Sequence, residues 1–541
     1  MTFSDLVLPD GYEEPVPPAG AGFGNLGAIH LPWAGTGRIA FLDVTHGDID
    51  APTPVTFAEF EARSAAVAAA LAAAGLDVAS RVGILADNSV DFAATYFAIP
   101  RAGMVSVPLN TRQPSENLSF VADDAAMALV FHDAANIGRL PVGVPSIQFG
   151  SSAWAEFLSV GAASAGVGPV DVAAVDPDTT AVQMYTSGST GRPKGVLLSH
   201  GGQLFSIDQY LGGVMPMDPD ERLLISAPLY HKNAQMQLKM ALCLGGSVVL
   251  LRRFDAEHYL RAIDRHRVTA MTGVPTMFAL MFGRRDLLGQ LDRSSVRRLS
   301  IGSAPMTQAL FDQARDLFPE AVITNGYGTT EVVAVFGGHP DGVRRPDIAV
   351  GHPLAAIDTR LVDPTGVDAA LDPATGRRHG ELWVRSPGMM TGYHNLPDVT
   401  AQRLTDGWYH TGDVMEADEL GWHYFVGRVD DMFSCAGENV YPGDVEQMLE
   451  RCPLVHQAAV VAVADELKGS LPVAFVVLAE PVPEAAWAQQ EEGIKEWALR
   501  NGPAYQHPRS VWFVDEIPLA GTAKIDKAAL SVEAVRRWVP R

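Results

Sequence analysis

Short runs of apolar, often β-branched residues alternate with longer stretches of helical periodicity from about residue 180 onward. In the stretch 256–266, for example, Tyr259, Leu260 and Ile263 fall on one face of a helix. Repeated strand–helix units of this kind favour parallel sheets that are covered by helices on both faces. The predicted strands of this part are 181–185, 246–251, 268–272, 298–301 and 321–324, and the predicted helices are 196–211, 256–266 and 307–318.

The first third of the chain has the same alternation, and two later regions depart from it. Helices are predicted at 64–74 and 92–101, and strands at 81–85 and 105–108. Between residues 358 and 385 the turn signals DPTG and DPATG separate short apolar runs, which predicts a β-rich subdomain. After residue 427 the pattern becomes α+β, with predicted helices at 442–450 and 485–500 and predicted strands at 458–463, 473–478 and 511–514.

The chain has 541 residues, whereas single hydrophobic cores stop growing at roughly 250–300 residues. We therefore expect two domains, with residues 1–427 in the first and 428–541 in the second. The predicted fold class is α/β: a large N-terminal domain of parallel βα sheets plus a β-rich subdomain, followed by a smaller, mobile α+β C-terminal domain.

Composition and charge exclude some classes of function. The net charge of −23 opposes binding to nucleic acid, because a phosphate backbone requires clustered Lys and Arg. The three cysteines, Cys243, Cys435 and Cys452, have no paired spacing and are predicted to be free thiols in a reducing compartment. No apolar run approaches the ~20 residues that span a bilayer, and no basic region precedes an apolar stretch at the N-terminus. We expect a cytoplasmic protein.

The strongest chemical signal is the segment 185–195, YTSGSTGRPKG, after a predicted strand and before a predicted helix. Glycines there let backbone N–H groups turn toward phosphate oxygens, hydroxyls add donors, and Lys194 adds positive charge. The order PKG differs from the GK[ST] of a Walker A loop. If only a shorter piece of this segment were present, an ordinary polar surface loop would be the favoured interpretation. The phosphate-binding candidates are Thr186, Ser187, Gly188, Ser189, Thr190, Gly191 and Lys194.

This segment closely resembles the phosphate loop of the adenylate-forming superfamily of acyl-CoA synthetases, adenylation domains and luciferases, and the resemblance extends from roughly residue 20 to 530. The segments GSAP (302–305) and NGYGTTE (325–331) resemble the family's adenine and α-phosphate segments. The resemblance implies Tyr327 against adenine, Thr330 at the α-phosphate and Glu331 on Mg²⁺. The implied nucleotide contacts are Gly302, Ser303, Ala304, Pro305, Asn325, Gly326, Tyr327, Gly328 and Thr329.

Three further motifs follow in the family's order. WYHTGD (408–413) resembles the segment whose aspartate accepts the ribose hydroxyls, which implies that role for Asp413. YFVGRVD (424–430) resembles the domain junction, with Arg428 near the ribose and phosphates and Asp430 as the hinge. PLAGTAKIDK (518–527) resembles the loop of the catalytic lysine, which would be Lys524. Ala523 stands where glycine usually precedes that lysine.

Other matches concern the two remaining substrates. Near GENVYP (437–442), the resemblance implies a pantetheine route past Ala436 and Gly437, and Ala436 stands where a second glycine is frequent. The segment APLYHKNAQ (227–235) resembles the start of a helix along the acyl pocket, with His231 where acid and thiol meet. The implied acyl-pocket residues are His231, Lys232, Asn233 and Val332, with Val333 beside them.

Lys232 occupies the position where amino-acid-activating relatives carry an aspartate, which argues against an amino-acid substrate. It permits a polar or anionic group on the acid, although a lysine that reaches solvent is the favoured interpretation. The resemblance implies an ATP-dependent carboxylic acid–CoA ligase with ATP, Mg²⁺ and coenzyme A. The substrate would be an aromatic (aryl or cinnamate-like) acid or a medium- or long-chain fatty acid.

Several alternatives share these motifs. An adenylation enzyme that loads a separate carrier protein would have every nucleotide motif, as would a luciferase-type oxygenase. A non-catalytic regulator that binds an acyl adenylate ranks lower, because Lys524, Asp413 and Glu331 are all present. Family members are often dimeric, so a homodimer is possible. No nucleic-acid partner and no membrane span are expected.

Overall fold

The computed structural model describes residues 24–165, 173–187, 192–304, 306–519 and 525–538, and its elements are numbered in chain order. The first large sheet has seven strands in the order β13-β12-β11-β9-β10-β1-β2. Its pairs are parallel except β1 with β2. The strands are β1 (Ile39–Asp43), β2 (Thr53–Thr56), β9 (Arg222–Ile225), β10 (Ser247–Leu250), β11 (Ala270–Gly273), β12 (Arg298–Gly302) and β13 (Val322–Gly326).

The second large sheet also has seven strands, in the order β18-β8-β7-β4-β3-β5-β6. The neighbouring strands from β7 through β4, β3 and β5 to β6 are parallel. The strand β8 pairs antiparallel with both of its neighbours, β7 and β18. The strands are β3 (Arg81–Leu85), β4 (Val105–Pro108), β5 (Leu129–His132), β6 (Ser146–Gln148), β7 (Thr180–Ser187), β8 (Pro193–Ser199) and β18 (Gly392–Tyr393).

Helices cover these sheets and fill the space between them. One continuous core joins the two sheets and includes Phe97 of α2, Leu204 of α5 and Leu238 of α6. The helices are α1 (Phe57–Ala73), α2 (Val90–Arg101), α3 (Ser115–Asp124), α4 (Ser152–Ala165), α5 (His200–Gln209), α6 (Lys232–Leu244), α7 (Ala256–His266), α8 (Pro275–Phe282), α9 (Arg285–Leu288), α10 (Gln308–Leu317), α11 (Pro397–Arg403), α12 (Pro442–Glu450), α13 (Trp487–Asn501) and α14 (Lys527–Arg537).

The predicted β-rich region forms a five-stranded antiparallel sheet. A separate sheet of two short antiparallel strands precedes it in the chain. The C-terminal part has a separate sheet, mainly antiparallel, and its own core between Cys435 and Ala534. The boundary at 427/428 stays a prediction. These strands are β14 (Phe336–Gly337), β15 (His352–Pro353), β16 (Asp358–Val362), β17 (Arg377–Arg385), β19 (Leu404–Thr405), β20 (Trp408–Asp418), β21 (His423–Arg428), β22 (Phe433–Cys435), β23 (Glu438–Val440), β24 (Val455–Asp465), β25 (Gly469–Leu478) and β26 (Val511–Phe513).

The predicted helix at 196–211 is wrong in its first part. Residues 193–199 form β8, which pairs antiparallel with β7 along its length and alternately buries Val196 and Leu198. The helix begins only at His200, where the side chain of Ser199 caps it by accepting from the backbone N–H of Gly202. The phosphate-loop segment therefore joins two strands of a hairpin and does not lead directly into a helix.

The described ranges contain no helix that is long and apolar enough to cross a membrane. The three cysteines are all free: Cys435 and Cys452 are buried, and Cys243 is half-buried. Burial raises the pKa of the Cys243 thiol to about 12 and also raises the pKa of the Cys452 thiol.

Candidate active site

The hairpin of β7 and β8 carries the two ends of the phosphate-loop segment. Thr186 pairs with Lys194 and Ser187 with Pro193 across the hairpin. Gly188, Ser189, Thr190 and Gly191 lie outside the described residues, as do Pro305, Ala523 and Lys524.

Lys194 and Glu331 meet at the ring of Tyr393. The Lys194 Nζ lies 5.5 Å from the centroid of that ring, a cation–π contact. The Tyr393 hydroxyl donates a 2.9 Å hydrogen bond to Glu331 Oε1. Burial, with the Glu331 charge next in importance, raises the pKa of the Tyr393 hydroxyl. One aromatic side chain thus holds a cation and a carboxylate close together, and sequence reasoning missed it.

The two nucleotide segments meet where β12 and β13 end side by side. Gly302 pairs with Gly326, and a Cβ atom on Gly302 would lie 2.3 Å from the Gly326 carbonyl oxygen. Ser303 then turns with φ of +64°, a conformation that side chains other than glycine rarely adopt. Asn325 is buried and donates to the Ile348 carbonyl at 2.8 Å. The close approach of the strands fixes Ser303 and Ala304 beside the segment after β13.

A tight turn follows β13 and presents Thr330 and Glu331, both half-buried. The backbone N–H of Thr329 donates to the Val332 carbonyl at 2.9 Å, and the N–H of Val332 donates to the Thr329 hydroxyl at 3.1 Å. Val332 itself is buried in the main core. Gly328 packs against the same turn, since an added Cβ would lie 2.9 Å from the Val333 carbonyl oxygen.

Asp413 is buried and has a partner on each carboxylate oxygen. Tyr327 donates its hydroxyl to Oδ2 at 2.6 Å, and Arg428 donates Nη1 to Oδ1 at 2.8 Å. Asp413 and Arg428 face each other across β20 and β21. Burial and then the Asp413 charge raise the pKa of the Tyr327 hydroxyl well above its usual value. The structure therefore brings together three residues that the sequence placed in separate motifs.

Tyr409 connects this cluster with the one around Tyr393. It is buried, and its hydroxyl lies close enough to that of Tyr393 for each to affect the pKa of the other. The pKa of the Tyr409 hydroxyl is raised well above its usual value, chiefly by burial. The charge of Glu331 is the next cause, followed by the neighbouring tyrosines and the charge of Asp413. Both carboxylates are therefore within electrostatic range of one side chain, so the two clusters lie near each other.

Asp430 lies just outside this cluster, in the 3₁₀ turn Val429–Asp431 after β21. Its carboxylate is half-exposed and lies 3.6 Å from both the Arg428 and the Arg403 guanidinium groups. A few residues later, Ala436 and Gly437 form the tip of the β22–β23 hairpin with φ values of +56° and +87°. Ala436 thus adopts a left-handed conformation that normally favours glycine.

The helix α6 starts at Lys232, directly after His231, whose ring packs against Tyr230 at 4.6 Å between centroids. The expectation that Lys232 reaches solvent is wrong. Its side chain is buried because its Nζ turns inward and donates to Gln203 Oε1 at 2.6 Å. Asn233 points elsewhere, accepting from Gln237 at 2.6 Å and from the Thr272 hydroxyl at 3.2 Å.

A sequence model of AMP-binding enzymes matches residues 35–394, and a model of the C-terminal domain of AMP-binding enzymes matches residues 444–524. The first match covers more than half of the chain, so the protein belongs to the AMP-binding enzyme family. The predicted family and fold class are thereby confirmed.

Named relatives cover most of this chain. A feruloyl-CoA synthase of an Amycolatopsis species is 34% identical over 90% of this chain and 94% of its own length. A 4-coumarate–CoA ligase of rice, Oryza sativa subsp. japonica, is 32% identical over 87% and 88%. Among solved structures, ATP-bound MatB from Rhodopseudomonas palustris is 26% identical and superposes with a TM-score of 0.82, covering 95% of this chain and 99% of that one.

Proposed function

We propose that this protein is an ATP-dependent carboxylic acid–CoA ligase. It forms an acyl adenylate and pyrophosphate from the acid and ATP, and then an acyl-CoA thioester and AMP. The observation that carries this proposal is the buried Asp413, which Tyr327 and Arg428 hold, with Glu331 near enough that both carboxylates act on the pKa of Tyr409. A carboxylate with both oxygens held in place is suited to accept two vicinal hydroxyls of a ribose.

We assign the nucleotide roles as follows. Asp413 binds the ribose, the Tyr327 face covers the adenine, and Thr330 contacts the α-phosphate. Lys194, with the ends of the hairpin loop, faces the β- and γ-phosphates. The remaining nucleotide contacts come from the strand ends at Gly302 and Gly326, where small residues let the backbone approach the ligand.

Glu331 is the proposed Mg²⁺ ligand. Its Oε1 accepts from Tyr393, which orients the carboxylate and leaves Oε2 for a cation. The described residues contain no group of three or more His, Cys, Asp and Glu side chains that could hold a metal. A single carboxylate suits Mg²⁺, which keeps waters and takes substrate phosphate oxygens as its other ligands. When bound, the ion would neutralise charge on the phosphates.

In the first step, a carboxylate oxygen of the acid bonds to the α-phosphorus of ATP while the bond from that phosphorus to the pyrophosphate oxygen breaks. Lys194 offsets the charge of the departing pyrophosphate, and Lys524 offsets the charge that builds at the α-phosphorus. Lys524 is assigned by family resemblance. In the second step, the thiolate sulfur of coenzyme A bonds to the acyl carbon near His231 while the bond from that carbon to the phosphate oxygen breaks and AMP leaves.

The second step needs coenzyme A to reach the acyl adenylate. We infer that residues 428–541 rotate about Asp430 between the two steps and bring the tip at Ala436 and Gly437 beside the pantetheine. Asp430 supports this role because its carboxylate is half-exposed and makes only 3.6 Å contacts with Arg428 and Arg403. Transfer to a separate carrier protein is the alternative second step.

The acid is proposed to be aromatic, aryl or cinnamate-like, or a medium- or long-chain fatty acid. The named relatives are a feruloyl-CoA synthase and a 4-coumarate–CoA ligase, and the residues that we assign to the acyl pocket are His231, Lys232, Asn233 and the apolar Val332. A cytoplasmic location and a homodimer remain predictions, the first supported by three free cysteines.

The test is thioester formation from ATP, Mg²⁺, coenzyme A and a pool of aryl and fatty acids, detected by mass spectrometry. Wild type and the control Lys495→Ala, which removes an α13 lysine paired with Glu491, should make a thioester. Lys524→Ala should lose about 10²–10³ in rate. A wild type that accumulates only bound adenylate would overturn the coenzyme A assignment, and one that releases no pyrophosphate with any acid would overturn the ligase proposal.

A further inference from the structure

Two lysines lie on one face of α6 and turn their amines into the protein interior. Lys232 is 8% exposed and Lys239, two helical turns further on, is 0% exposed. Their Nζ atoms lie 2.6 Å and 2.8 Å from the same oxygen, Oε1 of Gln203 on α5. The two amines are therefore no farther apart than the sum of those distances.

Among the residues that the structure describes, no carboxylate pairs with either amine. Within the described ranges, the contacts of both lysines are a glutamine oxygen and, for Lys239, the ring of Tyr96 at 5.4 Å. Burial lowers the pKa of Lys232 to about 7 and the pKa of Lys239 well below its usual value, and the charge of Lys232 adds to the second shift. Burying an ammonium without a counter-charge costs several kcal/mol.

The surrounding amides add hydrogen-bond donors and no spare acceptors. Gln235, on the same face of α6, uses its Oε1 to accept from the Tyr96 hydroxyl at 3.1 Å. The Nε2 groups of Gln203 and Gln235 are buried and, among the residues described, have no hydrogen-bond partner. We call Tyr96, Gln203, Lys232, Gln235 and Lys239 the lysine cluster. It is rich in unused donors, which anionic oxygens would satisfy.

The lysine cluster adjoins, in sequence, the segment that we assign to the acyl pocket of the proposed ligase. Lys232 directly follows His231 and is the first residue of α6, and it keeps some exposure, whereas Lys239 has none. A ligand group would therefore pass Lys232 to reach Lys239. An acyl chain that runs along α6 from its carboxylate near His231 would place its far end in this region.

We propose that the lysine cluster binds an anionic carboxylate, and that this group is the distal carboxylate of a dicarboxylic acyl substrate. The choice of substrate rests on the proposed function, whereas the anion site itself does not. The substrate class narrows to aromatic or aliphatic acids with a second carboxylate at the end remote from the reacting one.

The first experiment measures selectivity with matched pairs of acids, octanoate with octanedioate and cinnamate with 4-carboxycinnamate. The readout is kcat/KM for pyrophosphate release. Wild type and Lys495→Met should prefer the dicarboxylic member by about 10- to 100-fold, the range for hydrogen bonds to a charged group. In Lys232→Met and Lys239→Met the ratio should fall toward one. A wild-type ratio at or below one would overturn the substrate assignment.

The second experiment measures thermal unfolding without ATP, so that it does not depend on turnover. Octanedioate should raise the midpoint of wild type by more than octanoate does, and this difference should disappear in Lys239→Met. If chloride or phosphate stabilises wild type as well as octanedioate does and the selectivity ratio is near one, a free anion is the ligand and the dicarboxylate assignment is wrong. If no anion shifts the wild-type midpoint, the anion site is wrong.

The two experiments also separate this inference from the proposed function. Absence of pyrophosphate release with every acid would overturn the ligase proposal. The midpoint difference between wild type and Lys239→Met in octanedioate would still decide whether the lysine cluster binds a carboxylate.

Discussion

At the scale of single residues, Asp413 has the most demanding environment in the site. It is buried, and its charge is balanced by Arg428 and by the Tyr327 hydroxyl. Asp413→Asn keeps the size of the side chain and removes its charge, so Arg428 loses its ion pair and a ribose loses a charged acceptor. We expect kcat/KM for ATP to fall about 10- to 100-fold, the loss of one hydrogen bond to a charged group.

The measurement for Asp413→Asn is ATP–pyrophosphate exchange over a range of ATP concentrations. Asp341→Asn is the matched control and should behave as wild type, because the Asp341 carboxylate is exposed and lies 4.0 Å from the His339 ring nitrogen. Equal ATP dependence in the Asp413 variant and the control would remove Asp413 from the ribose site.

At the scale of elements, the ends of β12 and β13 depend on the absence of a side chain at Gly302. In Gly302→Ala the new Cβ would lie 2.3 Å from the Gly326 carbonyl oxygen, which belongs to rigid backbone. The strands must separate, so we expect a loss of about 1–3 kcal/mol of unfolding free energy and weaker ATP binding. Gly338→Ala, where the added atom meets open space, should change neither quantity. Urea unfolding and ATP titration provide the comparison.

The contact between helix α12 and strand β24 is expected to make the stability of the folded protein depend on pH. Burial and the nearby Glu446 charge raise the pKa of Glu450 to about 7, above the model-peptide value of 4.5. Folding therefore favours the protonated form, and this stabilisation is full below about pH 4.5 and is lost as the pH rises through 7. Asp444 on α12, raised to about 7 chiefly by burial, acts in the same direction.

Glu450→Gln should remove the Glu450 part of this dependence, because a neutral amide can still accept the Ala458 N–H. We expect the variant to be more stable than wild type by about 1–3 kcal/mol at pH 8 and nearly equal at pH 4.5. Denaturant unfolding at the two pH values measures the difference. A variant less stable than wild type at pH 8 would contradict the raised pKa.

At the scale of the whole molecule, Asp430 lies at the proposed point of rotation between the two steps. Proline fixes φ near −65°, so Asp430→Pro should restrict that rotation. We expect adenylation to be retained within about tenfold and thioester formation to fall by at least about a further tenfold, since each tenfold step is 1.36 kcal/mol of barrier. Asp430→Ala, which removes the carboxylate without fixing φ, is the control. Equal losses in both steps would argue against a hinge.

The whole molecule also illustrates what the sequence could predict. The bounds of α7, α12, β3 and β4 match the predictions to the residue, because turns or caps flank a clear periodic pattern. The start of α1 was predicted seven residues late, since the Thr56–Glu59 capping box was overlooked. The strand β8 was predicted as helix because a short apolar run fits either structure until its pairing with β7 is known.

Within the site, the motif residues were predictable, whereas the residues that join the motifs were not. Tyr393 lies on β18, far from the hairpin loop in sequence, and its tertiary position alone reveals its hydrogen bond to Glu331. Tyr409 belongs to the WYHTGD motif, but nothing in the sequence places it within electrostatic range of Glu331. The inward turn of Lys232 was missed because a single lysine in a sequence is usually solvated. The available signal was Lys239, because its position seven residues after Lys232 places a second lysine on the same face of the helix.

The low reactivity expected of the three cysteines has a practical consequence for an enzyme that handles a thiol. Cys435 and Cys452 are buried, and the raised pKa values of Cys243 and Cys452 keep their thiolate fractions low. Mixed disulfides between the protein and free coenzyme A should therefore form slowly. A colorimetric thiol reagent added to samples withdrawn from the reaction should therefore report the remaining coenzyme A with little background from the native enzyme, which allows the thioester-forming step to be followed as a time course.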